Sequence, residues 1–174
     1  SPEFVLLGFL IAGSSHGYDL HQRFTVELGQ VWHMSQSQAY AILKRLEQRG
    51  DITSRLVEQE KLPARQKLYI TVQGRERFFE WLELGIATNS RSIRLEFLTR
   101  LYFTQFHRPE SLEIIFEKQS AEIESVIEKL ESLLEHLPPE QVYNRLSLDL
   151  RLQQMRLIQN WMAGIRTQFH ILRR

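Results

Sequence analysis

The chain has 174 residues, 22 Lys and Arg against 21 Asp and Glu, and no cysteine. This leaves room for one domain of ordinary size or two small ones sharing a core. It excludes disulfides, thiolate nucleophiles and cysteine-type zinc sites. No apolar run approaches the roughly 18 residues of a membrane span and no signal peptide is visible, so a soluble, cytoplasmic protein is expected. The formal net charge of +1 hides a local bias, because Lys61, Arg65, Lys67, Arg75 and Arg77 fall together with one acid, Glu76.

In chain order, Ser1-Pro2-Glu3-Phe4 has the look of a cloning remnant and is set aside, with Phe4 free to pack. Val5 to Ile11 is a short, nearly all-apolar helix. A second helix, Gly17 to Leu28, has Tyr18, Leu20, Phe24 and Leu28 as its approximate inner face and ends at Gly29. The third is the one the chain is organised around. Ser35 is a good N-cap and Gly50 a good stop for a helix from about Gln36 to Arg49. Ala39, Ile42, Leu43 and Leu46 form its inner stripe. The opposite face carries Ser37, Ala41, Lys44 and Gln48, flanked by Tyr40 and Arg45. Such a face is small at its start, rich in hydrogen-bonding groups and basic farther on, which suits a helix entering a DNA major groove. Taken alone it reads first as an ordinary amphipathic surface helix.

The flanking sequence decides between these readings. Asp51 to Glu60 and Lys67 to Val72 read as two strands around a polar tip, Lys61 to Gln66. Thr71 then caps a helix from about Val72 to Leu84. Two helices joined by a short link and followed by a basic hairpin make a winged helix-turn-helix with a two-stranded wing.

Four motifs carry a resemblance: Leu6-Leu7-Gly8; His16-Gly17-Tyr18-Asp19-Leu20; Tyr40-x-x-Leu43-x-Arg45-Leu46-Glu47-x-x-Gly50; and Tyr69-x-x-Thr71-x-x-Gly74. In this order and spacing they resemble the PadR family of transcriptional regulators. The resemblance implies a DNA-binding domain over residues 5–85. Two departures stand out. Ser35 to Ala39 replaces the glycine-containing segment common before the tyrosine, which bears on the bases read. Pro63-Ala64-Arg65 stands where many relatives carry further arginines, which bears on affinity.

Residues 91–174 read as entirely helical. Pro109 starts a long helix to about Leu137, along which Ile123, Ile127, Leu130, Leu134 and Leu137 form a heptad stripe. Pro138-Pro139 breaks it. A last helix of some 30 residues carries Met155, Ile158, Trp161, Ile165 and Phe169 within a wide apolar set. A partner chain is the simplest cover for so much apolar surface. The resemblance agrees, because longer PadR-type proteins, including virulence-activator relatives, dimerise through such a domain. Residues 91–174 are therefore expected to form a long-helix dimerisation domain held by Ile123, Ile127, Leu130, Leu134, Met155, Ile158, Trp161, Ile165 and Phe169.

Other chemistries fare worse. None of the six histidines stands four residues from another, so no metal site is expected. There is no phosphate loop and no nucleophile turn, so neither an enzyme nor a cofactor is expected. The expectation is a mainly α homodimer, acting as a repressor on double-stranded DNA with an inverted-repeat operator. Gln36, Ser37, Tyr40, Lys44 and Arg45, with His16 and Tyr18 from the second motif, make the contacts of the helix. Lys61, Arg65 and Lys67 make those of the wing. The resemblance adds a small aromatic effector as a candidate ligand, with Trp81, Phe103, Phe106 and Trp161 as candidate cavity residues. Two other classes remain open: a winged helix that binds protein instead of DNA, and a helical scaffold.

Overall fold

The computed structural model describes residues 2–59 and 62–172, the side chains of 58–65 and 169–172 excepted. The chain divides into two compact units, one of residues 1–85 and 98–103, the other of residues 86–97 and 104–174. A division between residues 85 and 91 would place 98–103 in the second unit; their packing places them in the first.

In the first unit, α1 (Pro2–Ala12) is buried from Val5 to Leu10. The short strand β1 (Ser15–His16) leads into α2 (Gly17–Leu28), and α3 (Gln36–Gln48) follows. A two-stranded hairpin, β2 (Ile52–Gln59) and β3 (Leu62–Ile70), precedes α4 (Val72–Leu84). The sheet has a third strand that the hairpin pattern did not reveal. Its order is β1-β3-β2, with Ser15 opposite Leu68 and His16 opposite Lys67. The core joins Leu6, Leu7, Leu10, Leu20, Phe24, Leu46, Ile52, Phe78 and Phe103.

The set-aside opening residues take part in this packing. Helix α1 begins at Pro2, Phe4 stacks on Trp81 at 4.6 Å, and Glu3 pairs with Arg49 and Arg77. Arg77 and Arg49 also hold the buried Asp51, at 2.7 and 3.3 Å.

In the second unit, α5 (Ser90–Ser92) continues through a π-helical turn (Ile93–Phe97) to α6 (Leu98–His107), whose first six residues pack in the first unit. A single 3-10 turn carries Pro109, and α7 (Leu112–His136) and α8 (Val142–Leu172) form a hairpin. It is antiparallel, because Arg166 near the end of α8 pairs with Glu113 at the start of α7, while Arg156 reaches Glu131 at 2.6 Å. Arg145 closes the corner by donating to the carbonyls of Leu134 and Leu137, two of the last acceptors of α7.

This hairpin buries part of the heptad stripe within the chain itself. Ile123, Ile127, Leu130 and Met155 are buried within the chain, where α7 packs on α8. Leu134, Ile158 and Ile165 are half-buried. Ile123, Ile127, Leu130 and Met155 are thus covered within the chain, whereas Leu134, Ile158 and Ile165 keep part of their surface open. The Phe169 side chain lies outside the described residues. Trp161 is the exception, at 38% exposure. It belongs to a second stripe on α8, formed with Tyr143, Leu146, Leu150 and Leu157, all exposed. These five are spaced 3, 4, 7 and 4 residues apart, within an arc of about 60° on the side away from buried Leu152, Met155 and Met162.

Candidate nucleic-acid interface

Helix α3 is fixed at both ends. The Ser35 hydroxyl accepts from the Gln38 amide at 3.2 Å, and the Gln38 side chain accepts from the Ser35 amide at 2.8 Å. This capping box commits both side chains locally and leaves Gln36 and Ser37 free. At the other end Gly50 sits at φ +79°, its amide donating to the Glu47 carbonyl and that of Asp51 to Leu46. This is a Schellman stop, whose left-handed residue favours glycine. The inner stripe of Ala39, Ile42, Leu43 and Leu46 is buried as its spacing requires. Gln36, Ser37, Ala41, Lys44, Arg45 and Gln48 are exposed, and Tyr40 is 47% exposed.

Beside α3 lies a cleft of about 850 Å³, lined among others by His16, Tyr18, Tyr40, Lys44, Gln66 and Leu68. It brings four of the expected DNA contacts together, His16 from β1, Tyr18 from the start of α2, and Tyr40 and Lys44 from α3. His16 is held by a 2.9 Å bond between its Nδ1 and the Gln66 carbonyl. Tyr18, expected on the inner face of α2, instead projects outward at 57% exposure, because that face is filled by Leu20, Phe24 and Leu28. Arg45 lies on the other flank of α3, near His33 and Met34.

On the wing, Lys67 is described; Lys61 and the Arg65 side chain lie outside the described residues. The register shows a basic group that sequence reading missed. Arg55 stands opposite Lys67, and Lys67 opposite His16, so the three project from one face of the sheet in a single cross-strand row. Directly opposed like charges repel, which a phosphate between them would relieve. Neither Arg55 nor Lys67 has an acidic partner among the described residues; the Arg55 guanidinium lies 5.3 Å from the centre of the Tyr69 ring. The signal for Arg55 was the pairing register, which the loose alternation of β2 does not announce.

The proposed effector residues are accounted for separately. Phe103 is 1% exposed and ringed by Phe9, Phe78 and Tyr102 at 4.9–5.4 Å, so it packs as a core group of the first unit. Trp81 is stacked on Phe4. Phe106 and Trp161 are exposed, in the second unit.

A capped helix with an uncommitted polar face, beside a sheet whose outer row is basic, is equipment for a phosphate backbone and base edges. Residues 6–80 match the transcriptional regulator PadR-like family. Over these residues the chain is similar to PadR-like transcriptional regulators. The Negative transcriptional regulator PadR of Bacillus subtilis (strain 168) is 27% identical over 135 residues, covering 78% of this chain and 74% of that protein. Among solved structures, B. subtilis PadR in complex with operator DNA is similar over 94% of this chain and 96% of its own, at 26% identity and a TM-score of 0.48. B. subtilis PadR in complex with p-coumaric acid is similar over 94% and 92%, at 24% identity and a TM-score of 0.43. No helix among the described residues is long and apolar enough to cross a membrane.

Proposed function

We propose that the chain is a homodimeric repressor of the PadR-like kind, in which residues 5–85 bind an inverted-repeat operator and residues 91–174 join two copies. The observation that carries this reading is the outward face of α3, where Gln36, Ser37, Tyr40 and Lys44 are exposed and the capping box is made by other side chains. Base edges are reached from the N-terminal part of a recognition helix, so Gln36 and Ser37 go deepest. Gln pairs bidentately with adenine, and Lys44 reaches guanine or phosphate. Tyr40 directs its hydroxyl to the DNA backbone or a base edge. Lys67, Arg55 and His16, with Arg65 of β3 and Lys61, hold phosphate.

The exposed stripe of α8 supports the dimer, since an apolar stripe of that length does not remain in water. The relation to a negative regulator supports the sign of regulation. Footprinting on the DNA around the protein's own gene tests the whole. Two protected half-sites about one helical turn apart are expected; absence of sequence-selective protection would overturn the reading in favour of a protein-binding winged helix. The proposal extends to a small aromatic effector, with p-coumaric acid as the probe. Its addition is expected to release the operator, and undiminished protection at saturating probe removes the effector from the proposal.

A further inference from the structure

Gly17, the first residue of α2, is buried against α3 and needs its missing side chain for one reason. Among the described residues only Gly50 has a positive φ, so the backbone at Gly17 is one that alanine adopts without strain. What bars a Cβ there is a ring. The added atom would lie 2.9 Å from Cε1 and 3.3 Å from Cζ of Tyr40, with Leu43 Cδ1 next at 3.4 Å. Cζ bears the hydroxyl, so the close approach falls on the functional end of Tyr40. That end belongs to a side chain 47% exposed and lining an open cleft. It is therefore free to yield, where backbone or core would not be.

We propose that Gly17 is the positioning residue for Tyr40: its bare Cα is the seat against which the ring rests, and the seat fixes where the hydroxyl meets DNA. The consequence for operator binding rests on the DNA-binding reading above; the placement of the ring does not. A Cβ at residue 17 leaves the fold intact, because it replaces glycine by a better helix former and displaces only the end of an exposed side chain. It moves the contact atom, and a polar contact moved beyond about 3.5 Å is lost.

The test is a double-mutant cycle in the full-length protein. Gly17→Ala should melt at or above the wild-type temperature yet bind operator about tenfold more weakly, the size of one lost specific contact. Tyr40→Ala should show a similar loss. In the Tyr40→Ala background, Gly17→Ala should cost nothing more, a coupling that a merely structural role would not produce. In parallel, protein carrying 3-fluorotyrosine gives one fluorine resonance per tyrosine. The Tyr40 signal, identified by its absence in Tyr40→Phe, should move in Gly17→Ala. Equal losses in both backgrounds, unchanged affinity, an unmoved Tyr40 resonance or a collapsed fold would each overturn the proposal. If wild-type protein binds no operator, the DNA-binding reading fails and the fluorine resonance alone decides: a shift supports the seat, no shift removes it.

Discussion

Helices α3 and α8 each bury one stripe inside their own unit and turn a second stripe outward. On α3 the outward residues are Gln36, Ser37, Tyr40, Lys44 and Arg45; on α8 they are Tyr143, Leu146, Leu150, Leu157 and Trp161. A polar outward face rests in water without penalty and waits for a ligand. An apolar one of several large side chains costs roughly 25 cal/mol for each Å² left wet, which drives permanent association. Under the proposed function, DNA binding on α3 is accordingly conditional, whereas association through α8 is constitutive. Breaking the second should cost far more than breaking the first.

The largest effect is thus expected from Leu150→Asp with Leu157→Asp. Both positions are exposed within the chain, so the helical hairpin should survive while the protein sediments as a monomer at micromolar concentration. Loss of the paired half-sites should then lower operator affinity by on the order of 10²–10⁴-fold. The comparison fails if the double variant remains a dimer. By contrast, Ile123→Ala should cost about 2–5 kcal/mol of stability, since that side chain is fully buried where α7 meets α8.

This contrast shows what was legible beforehand. The heptad stripe from Ile123 to Leu137 was readable, but periodicity tells only that a face is covered, not by which chain. Ile123, Ile127 and Leu130 are covered within the same chain, and the exposed stripe lies among the wide apolar set of α8. The inner face and both caps of α3 were legible because they depend on near neighbours alone. Strand β1 was not: two residues, Ser15 and His16, carry no alternation and become a strand only through partners some 50 residues away. Arg55 was invisible for the same reason. Phe4 packs as an apolar ring was free to do, whereas Glu3 sits in a stretch that reads as foreign, yet any carboxylate near two guanidinium groups will pair where the chain brings them.

On the α3 side, Gln36→Ala should cost about 1–3 kcal/mol at a single base pair and little at a mismatched one. Binding measured against a panel of single-substituted operators would resolve it; an unchanged preference would move readout to DNA shape. Wing substitutions sharpen the distinction between specificity and affinity. Arg55→Ala and Lys67→Ala should each weaken binding to all sequences alike and flatten the logarithmic salt dependence by about one unit. A salt dependence identical to wild type would remove the basic row from the interface.

The smallest effect is expected at the base of the first unit, where Glu3, Arg49, Asp51 and Arg77 join α1, the end of α3 and α4. Burial raises the Glu3 pKa, but hydrogen bonds and charge from Arg49 and Arg77 outweigh it and hold the carboxyl below its ordinary value of 4.5. A carboxyl depressed in the folded state adds stability that is fully present above its unfolded pKa and lost as pH falls through the folded one. Glu3→Gln should therefore be less stable than wild type at pH 7, and the gap should close below pH 4.5 as Glu3 protonates. The gap should be about 1 kcal/mol, the upper end for a partly exposed pair. It is no larger because the substitution strands no charge: Arg77 keeps Asp51 at 2.7 Å and Arg49 keeps it at 3.3 Å. Asp51→Asn should be the more damaging change, since it removes the partner common to both arginines at a site 1% exposed. Urea melts of the three proteins from pH 7 to pH 3 would settle the order. A Glu3→Gln deficit that widened toward acid pH would mean the carboxyl is raised in the folded state, and the network would then hold its acid against burial rather than be stabilised by its charge.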